Sequence, residues 1–261
     1  MDKAVIIGAY EFIGFHLCLS LLEKGVEVIG IHLPSLHDDD YLEEKRLSVG
    51  RNSNFIEKDE TFFEPGQSLL DNSVLFIDYY SYYRMHKENE LESMINQSIV
   101  NGAAQCILIV PVQLSNKTFA ADFPLQLVKR QKDFQIYYLP TVYGPWQPHH
   151  FTFQKALLNP DKPLKIDKRE WTNDALFISD VITRILAQVE KKENLEILLE
   201  SSINDHWYKA ASTILKNTTI EKTNEELKVN EDIVVLQVDG TILSEGVETQ
   251  KRHLVRLKQL K

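Results

Sequence analysis

Lys3-Ala-Val-Ile-Ile-Gly8-Ala-Tyr-Glu11-Phe-Ile-Gly14-Phe-His-Leu17, followed by Val26-Glu-Val-Ile-Gly-Ile-His32, decides the fold. Ala4 to Ile7 is a short apolar, β-branched run, the pattern of a strand buried on both faces. Gly8 to Gly14 reads as a tight turn. Phe15 to Lys24 carries Leu17, Leu21 and Leu22 at helical spacing, with Gly25 just beyond as a C-cap. Val26 to Ile31 is a second apolar run. Strand, glycine turn, helix and strand make one βαβ unit. The helix N-terminus after its first turn is where such a unit seats a dinucleotide pyrophosphate.

The rest of the chain keeps the alternation. Asn54 to Asp59, Val74 to Asp78, Gln105 to Val110 and Phe134 to Val142 read as strands. Glu90 to Asn101, Leu125 to Gln131 and Phe151 to Leu158 read as helices, and Asp180 is placed to cap another from Val181 to Val189. A strand over Leu195 to Ser201, a helix over His206 to Leu215 and a short strand within Val229 to Val238 complete the series. The pattern predicts an α/β fold: a Rossmann-type doubly wound parallel sheet with right-handed crossovers and a small C-terminal α/β substrate lobe. At 261 residues and 43% hydrophobic content, the chain can bury one sizeable core. The expected division is a dinucleotide-binding-like domain over 1–145 and a reduced lobe over 146–261, interleaved with it in one compact unit.

A formal charge of −9 argues against a nucleic-acid partner, because that binding depends on Lys and Arg neutralising phosphates. Cys18 and Cys106 read as buried free thiols. No stretch has transmembrane length and no signal peptide is evident, so a cytoplasmic protein with no membrane partner is expected. His37 beside Asp38, Asp39 and Asp40 reads as a solvated loop, and no metal site is expected. The basic residues from Lys251 to Lys261 suit a helix C-terminus.

Four patches carry a family resemblance. Gly8-Ala-Tyr-Glu-Phe12-Ile13-Gly14-Phe-His16-Leu17 resembles the opening of the extended short-chain dehydrogenase/reductases, the NAD-dependent epimerase/dehydratase family, with Glu11 where a middle glycine is usual. Val142-Tyr-Gly-Pro145, Asp174 to Val181, and Leu243-Ser-Glu-Gly-Val-Glu-Thr249 are similar to later segments of that family, in the same order. The resemblance implies nucleotide-sugar epimerase, dehydratase or reductase ancestry and NAD or NADP as cofactor. It places Gly8, Glu11, Phe12, Ile13, Gly14, His32 and Asp59 at the cofactor site, and it suggests a homodimer through C-terminal helices.

The site residues depart from that pattern. Glu11 puts a side chain and a charge where backbone would approach the pyrophosphate. Like charges about 4 Å apart repel by roughly 4 kcal/mol at an effective dielectric near 20. His32 stands where an acid would meet the adenosine ribose. Asp78-Tyr-Tyr-Ser-Tyr-Tyr83 replaces the small residues that usually make room for the cofactor; its rings could stack on a base or fill the space. The family's chemistry needs a Ser or Thr after the fifth strand, and a tyrosine with a lysine four residues on, one turn along a helix. This sequence has Val110-Pro111-Val112 there, no hydroxyl before Ser115, and no tyrosine from Asn116 to Arg130, so Lys117 and Lys129 lack a partner at that spacing. The Tyr83-Arg-Met-His-Lys87 run follows the fourth strand instead and supplies the weak catalytic candidates Tyr83 and Lys87. His149-His150 could serve as a base or be an exposed pair.

Two readings follow. One is a degenerate member that binds a dinucleotide weakly or not at all and acts as a sensor, scaffold or partner. The other is a divergent NAD(P)-dependent epimerase/dehydratase or oxidoreductase acting on a nucleotide sugar. Whether it is an enzyme stays open at this point.

Overall fold

The computed structural model describes residues 1–35, 41–63, 70, 72–116, 123–162, 164–191, 193–215 and 229–260. The opening unit forms as the pattern requires: strand β1 (Lys3–Ile7), helix α1 (Phe12–Glu23) and strand β2 (Glu27–Ile31). Helix α1 starts earlier than its leucines suggested, because Phe12 and Ile13 are themselves buried on it. Helix α2 (Leu42–Val49) and strands β3 (Phe55–Lys58) and β4 (Val74–Asp78) follow. Helices α3 (Tyr79–Arg84), α4 (Glu88–Met94) and α5 (Gln97–Gly102) lead to strand β5 (Gln105–Pro111). Then come α6 (Phe123–Lys129), β6 (Phe134–Leu139), β7 (Thr141–Tyr143) and α7 (Thr152–Leu158). Strand β8 (Ala175–Phe177), helix α8 (Ile178–Val189), strand β9 (Leu195–Ser201), helix α9 (His206–Ile214), strand β10 (Val234–Val238) and helix α10 (Leu243–Leu260) complete the order.

Eight strands form one sheet in the order β10-β9-β6-β5-β4-β1-β2-β3, and its pairs are parallel. Strands β7 and β8 make a small second sheet. Side chains alternate across the main sheet. Ala4, Ile6, Phe76, Ile107 and Ile109 join α1 and α8 in one core layer. Val5, Ile7, Ile31, Leu75, Ile77 and Leu108 face the opposite layer. Burial on both faces explains the near-continuous apolar strands. Helix α8 buries Ile178, Val181, Ile182, Ile185, Leu186 and Val189, the i, i+3, i+4, i+7 stripe of a core-facing helix.

The strand order reverses between β1 and β4, and doubly wound sheets open a ligand crevice at such a reversal. Asp180 does not cap α8 from its first position. It is the third residue of that helix, and its carboxylate accepts from the Thr241 N–H at 2.8 Å and the Thr241 hydroxyl at 3.1 Å, fixing the approach to α10.

Candidate functional site: the crevice between β1 and β4

Gly8 takes φ +87°, which turns the chain sharply off β1. The Gly8 and Ala9 N–H groups donate to the Ile31 carbonyl at 3.1 and 3.2 Å, and Glu11 N–H donates to Gly8 O at 2.8 Å. A Cβ on Gly14 would collide with the Gly8 carbonyl, so helix and turn meet backbone to backbone. Beneath the turn, buried Lys45 donates from Nζ to the Tyr10 carbonyl at 2.7 Å. The backbone is therefore that of a dinucleotide turn, with the α1 N-terminus aimed into the crevice.

What lies in the crevice is protein. Gly14 N–H donates to Asp78 Oδ2 at 2.8 Å, and Ile13 N–H to Ser81 Oγ at 3.4 Å. Ser81 donates from its N–H to Asp78 Oδ1 at 2.9 Å and from its hydroxyl to Asp78 Oδ2 at 2.7 Å. A Cβ on Gly8 would meet Tyr82 Cε2 at 3.1 Å, Asp78 Cβ at 3.3 Å and Glu11 Cγ at 3.4 Å. Residues 8–15 are all buried, Glu11 at 2% exposure. Burial pushes the Asp78 carboxyl up to about 6; its bonds from Ser81 and Gly14 oppose that rise and the charge of Glu11 adds to it. Burial also raises the Tyr82 phenol well above its ordinary value, and its hydroxyl finds no hydrogen-bond partner among the described residues. A pyrophosphate needs these amides and this space. In this arrangement both are taken, so the residues present do not fit the phosphates of a dinucleotide.

His32 is buried, edge-on to Tyr10 with ring centroids 5.4 Å apart. Tyr10 donates to Glu57 at 2.9 Å. Asp59 is exposed, but it accepts from Thr61 N–H at 3.0 Å and from the Thr61 hydroxyl at 2.7 Å; these bonds hold its carboxyl below the usual range. Phe12 and Ile13 belong to the core, Phe12 edge-on to Phe151.

At the end of β5, Ser115 is buried and donates its hydroxyl to Val112 O at 2.7 Å. Lys129 pairs with Glu196 at 2.6 Å. Lys117 and the His37 to Asp40 group lie outside the described residues. Tyr83 and Lys87 do not share a helix face. Helix α3 ends at Arg84, His86 takes φ +60°, and Lys87 precedes α4, so the turn-apart geometry of a tyrosine–lysine pair is not formed. Burial raises the Tyr83 phenol, its ring stacks on Tyr79, and the Arg169 guanidinium lies 4.4 Å from its centroid. His149 and His150 are half-buried, with centroids 5.2 Å apart.

Sequence reasoning missed a second closure. Arg84 is buried in an ion pair with Glu170 and donates to the Arg169 carbonyl. Glu170 also accepts from Thr141 Oγ1 and Trp207 Nε1, each at 3.0 Å. Arg169 forms two bonds of 2.8 Å to Glu88. Residues 169–170 are thereby locked onto α3 and the start of α4. The one available signal was the bulky, charged run after β4.

Known structures match the chain end to end. UDP-glucuronic acid 4-epimerase from Bacillus cereus, crystallised with NAD, aligns with a TM-score of 0.65 at 19% identity, covering 98% of this chain and 99% of that one. The chain has the extended short-chain dehydrogenase/reductase fold. TunA, a NAD-dependent NDP-hexosamine 5,6-dehydratase involved in tunicamycin biosynthesis, aligns at 0.62 and 14% identity, covering 98% of each chain. UDP-N-acetylglucosamine 4-epimerase from Methanobrevibacter ruminantium M1 gives 0.63 and 12%, covering 98% of this chain and 99% of that one. No family model and no curated protein sequence matches. The likeness therefore rests on this fold together with the four sequence patches.

Proposed function

We propose that this chain is a catalytically silent relative of the nucleotide-sugar epimerases and dehydratases, acting in the cytoplasm as a sensor, scaffold or partner. One observation carries the reading: the segment with Arg169 and Glu170 is locked onto α3, beside a β5 end that supplies no acid or base among the described residues. Proton transfer to a sugar needs a group within hydrogen-bond reach and a space for the sugar. Here Ser115 faces its own backbone, and Tyr83 and Lys87 are split by the α3–α4 break. Buried thiols at Cys18 and Cys106 suit a reducing compartment. The test is turnover: purified protein with NAD⁺ or NADP⁺ and a panel of UDP-hexoses and UDP-hexuronic acids, followed by nicotinamide absorbance and product separation. Cofactor-dependent conversion of any of these sugars removes the reading.

A second reading has the comparisons behind it more directly: a divergent enzyme that uses NAD on a nucleotide sugar. Its support is the full-length likeness to proteins crystallised with NAD and with UDP-sugars. It requires the crevice between β1 and β4 to open, with Gly8, Glu11, Phe12, Ile13, Gly14, His32 and Asp59 turned to the cofactor. The same assay decides it. For self-association, exposed Tyr208 on α9 and Val255 on α10 favour a homodimer through those two helices. Sedimentation at monomer mass across micromolar concentrations removes that proposal.

A further inference from the structure

We propose that Asp78 and Tyr82, with Glu11, are the residues that exclude dinucleotides from this fold: the Asp78 carboxylate is an internal stand-in for the ligand's phosphate. The inference rests on the functional reading above only for the class of ligand excluded. Its evidence is separate. Helix α1 has free N–H groups at its first turn, as every helix does. Its own N-cap, Glu11, makes no side-chain bond to them. The bond to Gly14 comes instead from a residue 64 positions away on the neighbouring strand. That same carboxylate caps α3 through Ser81. The starts of two helices therefore converge on one anion, and Ser81 spans from that anion to the Ile13 N–H. This is the donor set an N-terminal anion site offers a phosphate, already satisfied.

Tyr82 supplies the steric half. Gly8 leaves open space where a side chain would stand, and in a binding turn that space lets phosphate oxygens reach backbone. The Tyr82 ring edge occupies it, at 3.1 Å from where a Cβ would be, with the Glu11 side chain on another side. Tyr82 is fully buried although its hydroxyl gains no bond among the described residues, so the ring holds its place by shape. An arriving pyrophosphate must displace a carboxylate from three donors and an aromatic ring from the core, and then sit beside two acidic side chains.

Calorimetric titration with NAD⁺, ADP-ribose and inorganic pyrophosphate tests this. The samples are the natural protein, Glu11→Gly, Tyr82→Ala, and the triple variant Asp78→Ser, Tyr82→Ala, Glu11→Gly. The natural protein is expected to give no binding heat up to millimolar ligand. The triple variant is expected to bind NAD⁺ at least about tenfold more tightly. Micromolar binding by the natural protein overturns the inference, as does a folded triple variant that stays equally blind. Should the triple variant not fold, the natural protein answers by amide NMR. Gly14 and Ser81 signals unmoved by 10 mM pyrophosphate uphold the inference, and saturable shifts of both overturn it. Binding without turnover would remove this inference and leave the functional reading standing.

Discussion

The turn after β1 and the turn after β5 leave the same edge of the sheet, and they have kept different things. The first keeps its backbone: Gly8 at φ +87°, Gly14 pressed on the Gly8 carbonyl, and a helix starting where an anion would be wanted. Its surroundings have changed, with Asp78, Ser81 and Tyr82 standing in the crevice. The second keeps a fully buried strand and carries Val110, Pro111 and Val112 where the family resemblance would place a hydroxyl. Glycines that fit helix to strand are needed whether or not a ligand arrives. Residues that only meet the ligand carry no such duty. The two turns separate what the fold requires from what the reaction requires.

The comparison can be broken most directly at Gly14. Gly14→Ala forces a Cβ into the Gly8 carbonyl and is expected to cost about 4 kcal/mol in chemical denaturation. A loss below about 1 kcal/mol would mean the turn yields easily and is not held by the fold. Next is Arg84→Ala, which strands Glu170 in the interior and is expected to cost about 3 kcal/mol. Pairing Arg84→Met with Glu170→Leu should recover much of it. If the single change costs nothing, the locked segment is not a structural element.

Asp78→Asn sharpens the comparison through pH. The folded protein holds the Asp78 carboxyl at about 6, against 3.8 for an unperturbed carboxyl. Between those values the folded chain binds this proton and the unfolded chain does not. Acid therefore strengthens the fold through Asp78, with the gain complete below the unfolded value. His16, His206 and His253, lowered to about 4 by burial, act in the opposite sense over pH 6.5 to 4. Removing the Asp78 proton should make stability fall more steeply from pH 7 to pH 4, by about 2 kcal/mol relative to the natural protein. Parallel curves would show that Asp78 titrates normally. The smallest effect is expected at Tyr83→Phe: under about 0.5 kcal/mol in stability, with any turnover unchanged. A selective loss of turnover would restore Tyr83 as a catalytic group.

Most of the fold was legible because parallel strands covered on both faces spell themselves out in β-branched runs, as at Ala4 to Ile7 and Cys106 to Val110. The long helix expected from Glu90 to Asn101 divides into α4 and α5, because Asn96 caps a new helix by accepting from Ile99 N–H at 3.1 Å. The candidate site was legible only in what it lacked. Glu11, His32 and the missing hydroxyl could be read residue by residue. The ring of Tyr82 over Gly8 and the Asp78 bond to Gly14 span 74 and 64 positions, and local spacing carries no record of such contacts. Arg84 with Glu170 was hidden for the same reason: 86 positions separate them.

The seating of α10 has its own consequence. Gln250 donates to Gln147 at 2.8 Å and to Gln154 at 3.0 Å; Gln147 in turn donates to the Val142 carbonyl and accepts from the Gln154 N–H. All three amides are buried and none carries charge. Mobile ions therefore have nothing to screen there, and protons have nothing to titrate. This amide cluster under the final helix is indifferent to ionic strength and acidity, while the crevice between β1 and β4, where Asp78 is held at about 6, answers to acidity.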